Sequence, residues 1–379
     1  MYSQEDLNSA VAAGAISAEA ADALRSHVAS TRQAVTADAE HFRLITGFND
    51  IFVTIGAIIL LVAMGAIGQA IADIVAPMPV WTADAPDTWY SDTMVQREWA
   101  QGISTSLAGA FVAATAWLLS EFFTRKKRMA LPSIILLLAF VGGVMAAQSG
   151  VLLGMFSGRG ETSEAIGYSL LAAAALVTAG SAWLHWRRFM VPITIAAGTA
   201  AVAATVVLLL VAAIGPDSSN VETVILSLVF AAGLVVFAFA MRWDITDPSR
   251  ETRRSDVAFW LHLLAAPMIA HPVFALLGVV DGDNFGAGSA IAVVGVYIVF
   301  GLIALAVDRR ALLVSALAYV LIALTFLFRE FGAVELNFAL TALVIGSALL
   351  TLSALWTPIR AAVVRNLPGS VQQRLPATA

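Results

Sequence analysis

The sequence contains no cysteine, which excludes disulfide scaffolds, thiolate metal sites and thiol nucleophiles together. It is also short of charge: only 12% of its 379 residues are Asp, Glu, Lys or Arg, against roughly a quarter in soluble proteins. Twenty-one Lys and Arg with 26 Asp and Glu cannot coat a soluble body of this size. Disorder is excluded as well, because 60% of the residues are hydrophobic and disordered chains are poor in them. Missing too are a phosphate-binding glycine loop, an HExxH pair, a GxSxG elbow and any acidic pair with catalytic spacing inside an apolar stretch. The residues therefore predict no enzyme, no cofactor and no metal site.

What is present is apolar length. From residue 51 onward, ten runs follow one another, near 51–75, 103–123, 130–156, 165–184, 190–214, 222–241, 257–280, 289–307, 311–328 and 337–356. Each is close to the ~20 helical residues that cross a hydrocarbon core of about 30 Å. None alternates as a strand would, so the expected fold is all-α: a polytopic helical membrane protein of about ten transmembrane helices in a lipid bilayer. With the N-terminus placed in the cytoplasm, 18 Lys and Arg fall on that side and only Arg97, Arg159 and Arg329 on the other. The acidic residues split 13 to 13, so the positive residues alone set the orientation, with both termini inside. The basic turn Arg125–Arg128 reads as topology and lipid headgroups rather than nucleic acid.

Residues 1–46 have a different character and are expected to form a cytoplasmic helical hairpin, leaving 47–360 as the bundle and 361–379 as a cytoplasmic tail. Ser3 with Asp6 starts one helix, Gly14 ends it in a left-handed cap, and Ser17 starts a second. The polar middle of this segment argues against a signal peptide. The seam from Leu7 to Val35 is too small for an independent core, so the hairpin should pack on the inner loops, a second copy or a partner.

The inner turns are periodic. Arg128, Arg188, Arg250 and Arg310 recur at intervals of 60, 62 and 60, and RMALPSI at 128–134 parallels RFMVPITI at 188–195. Tandem two-helix hairpins would give this spacing, and so would any pair of spans with short loops. On the outside, Pro77–Gln101 forms the longest loop, with Trp81, Trp89, Tyr90 and Trp99 suited to an interfacial flap or a lid.

Polar groups inside apolar spans are the candidate site residues, since each is costly there unless paired or hydrated. The seventh span carries His262 about 8 Å and His271 about 21 Å deep at 1.5 Å per residue, on opposite faces, with Pro267 and Pro272 beside them. Those prolines free backbone carbonyls and make this span the candidate for a hydrated or moving element. Gln148, Gln69 and Tyr297 lie at similar depth to His271, so one outward polar pocket is expected, with His271, Tyr297, Gln148, Gln69, Asp73 and Arg329 as its ligand-binding residues. Arg329 stands against the charge rule and should pair with Asp73, Glu330 or Glu335.

The segments AGAISAEAADAL (13–24) and TIGAIILLVAMGAIGQ (54–69) resemble, over about the first 75 residues, a group of bacterial predicted membrane proteins. Their N-terminal region is catalogued as a domain of unknown function. That resemblance implies a bacterial inner-membrane location and no activity. Two functions stay open: a transporter or channel for a small solute with an outward site around His271, or a non-transporting sensor, scaffold or assembly factor. The second would act through the N-terminal hairpin on a protein partner or a second copy.

Overall fold

The computed structural model describes residues 11–24, 26, 48–80, 87–156, 163–215, 220–247, 250, 252–279, 286–331, 336–372 and 375–376. Among them ten helices are long and apolar enough to cross a membrane. They are α1 (Phe48–Val75), α2 (Asp87–Ser120), α3 (Ala130–Phe156), α4 (Glu164–Phe189), α5 (Ile193–Ile214), α6 (Val221–Ile245), α7 (Arg253–Leu276), α8 (Ala287–Val307), α9 (Ala311–Glu330) and α10 (Asn337–Ala354). Two shorter helices follow, α11 (Trp356–Arg365) and α12 (Gly369–Gln372), and the described residues contain no strand. The all-α polytopic architecture is thus as the apolar runs predict.

One boundary differs substantially. Residues 87–101, expected to belong to an outer loop, are the first turns of α2. The reason is local: Pro86 precedes the helix, where a proline is tolerated, and beyond it no proline interrupts the stretch. In the N-terminal segment, Gly14 has φ +72° and Ser17 Oγ accepts from the backbone N–H of Ala20 at 3.1 Å, as left-handed cap and N-cap respectively. The remainder of that hairpin, with Ser3, Asp6, Leu7 and Val35, lies outside the described residues.

The helices are organised as hairpins. α2 with α3, α4 with α5, α6 with α7 and α8 with α9 are heavily packed pairs, each joined at the end that carries the basic turns, and α1 also packs on α2 although that pair is joined at the other end. Every such turn contains one non-glycine residue in the left-handed region: Arg128, Met190, Arg250 and Asp308, with φ of 53° to 60°. Their spacing of 62, 60 and 58 residues matches the arginine periodicity, and the second helices form a row in which α3 touches α5, α5 touches α7 and α7 touches α9. A repeated hairpin in which each unit packs on the next accounts for both features, as tandem repeats do.

Close approach in the α2–α3 hairpin depends on glycine. A Cβ on Gly109 would stand 2.5 Å from the Ala147 nitrogen, and one on Gly102 would stand 2.6 Å from the Gly154 nitrogen. The glycine pair Gly150 and Gly154, of a dimerising type, is therefore engaged within the chain, and Ser106 Oγ donates to the Ala147 carbonyl at 3.1 Å across the same contact.

The seventh span does not look like a hydrated element. α7 is the most enclosed helix, with 56% of its span window buried against at most 33% elsewhere. Both prolines lie within a continuous helix, and Ala258, Leu261, Ala265, Ala266, Ala270 and Phe274 are fully buried among α5, α6, α8 and α9. Gly233 of α6 lets its backbone approach Met268, whose carbonyl Pro272 deprives of a helical donor.

Candidate functional site at the basic end

Polar side chains converge where the hairpin turns meet. Asp244, in the last turn of α6, is 2% exposed. Its carboxylate accepts from Arg309 Nη2 at 2.6 Å and Nε at 3.4 Å, and lies 2.9 Å from His262 Nε2. Arg309 Nη2 also reaches the carbonyl and the hydroxyl of Ser255 at 3.3 and 3.4 Å. The fork geometry of guanidinium on carboxylate is the strong form of ion pair, and it offsets the cost of taking both charges out of water. Beside it is a void of about 10 Å³ touching His262, Phe237 and Arg309, the size of one water.

Asp308 extends this lattice. Left-handed backbone at Asp308 ends α8, and an Asp tolerates that conformation better than most residues. Its Oδ2 accepts from Arg250 Nη1 at 2.8 Å, and its Oδ1 accepts from Trp356 Nε1 of α11 at 2.7 Å. Arg360 Nε lies 3.6 Å from the same Oδ1, while Arg360 Nη2 donates to the Pro376 carbonyl at 2.6 Å. Burial lowers the pKa of the Arg360 guanidinium from its ordinary value, and the Asp308 carboxylate opposes that shift. Two clusters of charge, one on Asp244 and one on Asp308, meet through the adjacent residues Asp308 and Arg309 and tie α6, α7, the α8–α9 turn, α11 and the C-terminal segment.

A separate cavity of about 610 Å³ opens among the first three basic turns, lined by Arg125, Arg128, Arg253 and Asp256 together with Thr124 and Trp260. α2 reaches it through a π-helical turn, Glu121–Lys126, which redirects Thr124 and Arg125. Glu121 also accepts from Arg188 Nε at 2.7 Å, linking the first turn to the second.

The residues expected to build an outward pocket are distributed over several partnerships. His271 is exposed on the surface of α7, and its Nδ1 lies 2.7 Å from the Tyr319 hydroxyl of α9. Tyr319 in turn stacks on Phe274 at 4.6 Å. Gln148 Nε2 donates to Thr178 Oγ1 of α4 at 3.2 Å and to the Val144 carbonyl of its own helix. Tyr297 packs among apolar neighbours of α8, α9 and α11, and its buried hydroxyl has no hydrogen-bond partner among the described residues. Gln69 lines a groove of about 380 Å³ with Thr105, Gly109 and Gly143. Asp73 and Arg329 are exposed, and neither has an ion-pair partner among the described residues; Glu335 lies outside them. Among the described residues no hydrogen bond or ion pair joins two of these expected residues; His271 meets Tyr319 and Gln148 meets Thr178 instead.

Sequence reasoning missed Asp244, Arg309 and Asp308 because charges at span ends serve to set topology. A usable signal was present: Asp244 and Asp308 are carboxylates at otherwise basic span ends, with His262 about two and a half turns into the neighbouring helix. His185 was missed as well. It is fully buried, 3.4 Å from Thr194 Oγ1, and ringed by Trp117, Phe140 and Phe189. No protein-family model, curated protein or solved structure matches this chain. The functional reading therefore rests on its own residues.

Proposed function

We propose that this multi-pass membrane protein is a non-enzymatic scaffold or sensor that works from its basic face, in a bacterial inner membrane with both termini in the cytoplasm. The carrying observation is the pair of charge clusters held by the adjacent residues Arg309 and Asp308, one reaching Asp244 and the other Arg360 and the Pro376 carbonyl. Buried polar networks of this kind fix one arrangement of the elements they join, so a partner that moves the tail also loads α7 and the last hairpin. The enclosure of α7 supports the same reading, because the centre of the bundle is packed side chain. The orientation follows from the 18 positive residues on that side, and a bacterial origin from the resemblance of the first 75 residues. The N-terminal hairpin is the natural docking element for a protein partner or a second copy. Permeation is the test: reconstituted vesicles should take up glycerol, inorganic phosphate and monovalent ions no faster than protein-free vesicles.

A second reading, transport of a small solute through an outward site, is favoured by the unpartnered hydroxyl of Tyr297 and the exposed His271–Tyr319 pair. Uptake that exceeds the vesicle background and disappears in His271→Ala would establish it and overturn the scaffold reading.

A further inference from the structure

We infer that the cavity among the first three basic turns binds a phosphate-bearing anion, with an anionic lipid headgroup of the adjoining leaflet as its nearest source. The inference goes beyond the scaffold reading and does not depend on it. Three guanidinium groups line the cavity and one carboxylate, Asp256, offsets part of their charge. Arg125 is shared with Glu121 at 3.2 Å, whereas among the described residues no hydrogen bond engages the guanidinium of Arg128 or Arg253, and Arg253 acts on Asp256 through charge alone. The second, independent observation is Thr124. Thr124 is 8% exposed, its hydroxyl has no hydrogen-bond partner among the described residues, and the residue lines this same cavity. A buried hydroxyl without a partner loses free energy that a ligand oxygen would restore.

The remaining lining fits an amphiphile. Ile134, Phe189, Val191 and Trp260 form an apolar wall beneath the arginines, continuous with a packed cluster of α3, α5 and α7. Guanidinium forks match phosphate oxygens, and basic pockets between helix ends on this side of a membrane suit anionic headgroups. The volume of about 610 Å³ accommodates a phosphodiester with its glycerol unit.

The test uses the purified full chain in detergent, titrated with short-chain phosphatidylglycerol, short-chain phosphatidylcholine or inorganic phosphate, while thermal unfolding is followed. Saturable stabilisation by phosphatidylglycerol alone identifies a lipid site. Stabilisation by both phosphatidylglycerol and inorganic phosphate identifies a site for the phosphate group from any source. In either case the double variant Arg128→Gln/Arg253→Gln should weaken binding by about tenfold or more. Arg187→Gln, outside the cavity, should bind as the wild type does. Should the double variant melt early without ligand, Thr124→Val removes the hydroxyl alone and should still weaken binding. The inference is overturned if phosphatidylglycerol and phosphatidylcholine act alike, if no probe binds saturably, or if Arg187→Gln weakens binding as much as the cavity variants do.

Discussion

Replacing Asp244 by asparagine keeps the shape of the side chain and removes the carboxylate that pairs directly with Arg309. The pair is buried on both sides, with 1% of the Asp244 side chain and 6% of the Arg309 side chain exposed. After the replacement the guanidinium faces a neutral amide, which offers one acceptor oxygen in place of two, beside Ser255 at 3.3 and 3.4 Å, and His262 loses its carboxylate partner. Removing one partner of a buried pair costs about 3–5 kcal/mol, because the other charge stays behind without compensation. Arg309→Gln should cost a similar amount by stranding Asp244. The double variant Asp244→Asn/Arg309→Gln leaves neither charge, so it should lose less than the sum of the two single losses, with a coupling of about 1–3 kcal/mol. Reversible unfolding in mixed micelles, followed by tryptophan fluorescence, gives all four corners of this cycle. A single loss below about 1 kcal/mol, the range of exposed ion pairs, or strict additivity would refute the reasoning.

Gly109→Ala should destabilise the α2–α3 hairpin by about 1–3 kcal/mol through overpacking, whereas Gly142→Ala, whose Cβ would meet nothing within 4 Å, should be close to neutral in the same melt. Trp356→Phe removes the donor to Asp308 and should cost about 1–3 kcal/mol, read as loosened protection of the C-terminal segment in hydrogen exchange. Tyr319→Phe breaks an exposed contact with His271 and should cost less than about 1 kcal/mol in thermal unfolding. A reporter fused after Ala379 should be active only in the cytoplasm, as the positive residues require.

The spans were legible in the sequence because burial in lipid demands length and apolarity, which are local properties. The arginine spacing also carried real structure. Its period is that of the left-handed turn residues, although the left-handed residue is Met190 rather than Arg188 and Asp308 rather than Arg310. The start of α2 was misjudged because Trp89, Tyr90 and Trp99 suit an interface, and an interfacial composition does not say whether the backbone is coiled or helical. The ionic lattice was hidden for a different reason. Asp244 meets His262 across 18 residues and Arg309 across 65, so the pairing exists only once α6, α7 and the α8–α9 turn have packed. Depth along a span was readable at 1.5 Å per residue and rotation only relative to its own helix, which is why Gln148 and His271 share a level yet reach different neighbours.

The absence of cysteine allows the central claim, a packed axis with its working surface at the basic end, to be measured directly. Single cysteines are placed at Ala258, Ala265 and Ala270 of α7, all fully buried, and at Arg254 on the basic face as an accessible control. Inverted membrane vesicles are then treated with a membrane-impermeant maleimide. Labelling at position 254 alone is the expected result, whereas labelling at 265 or 270 would reveal a water-filled path through the bundle and contradict the account.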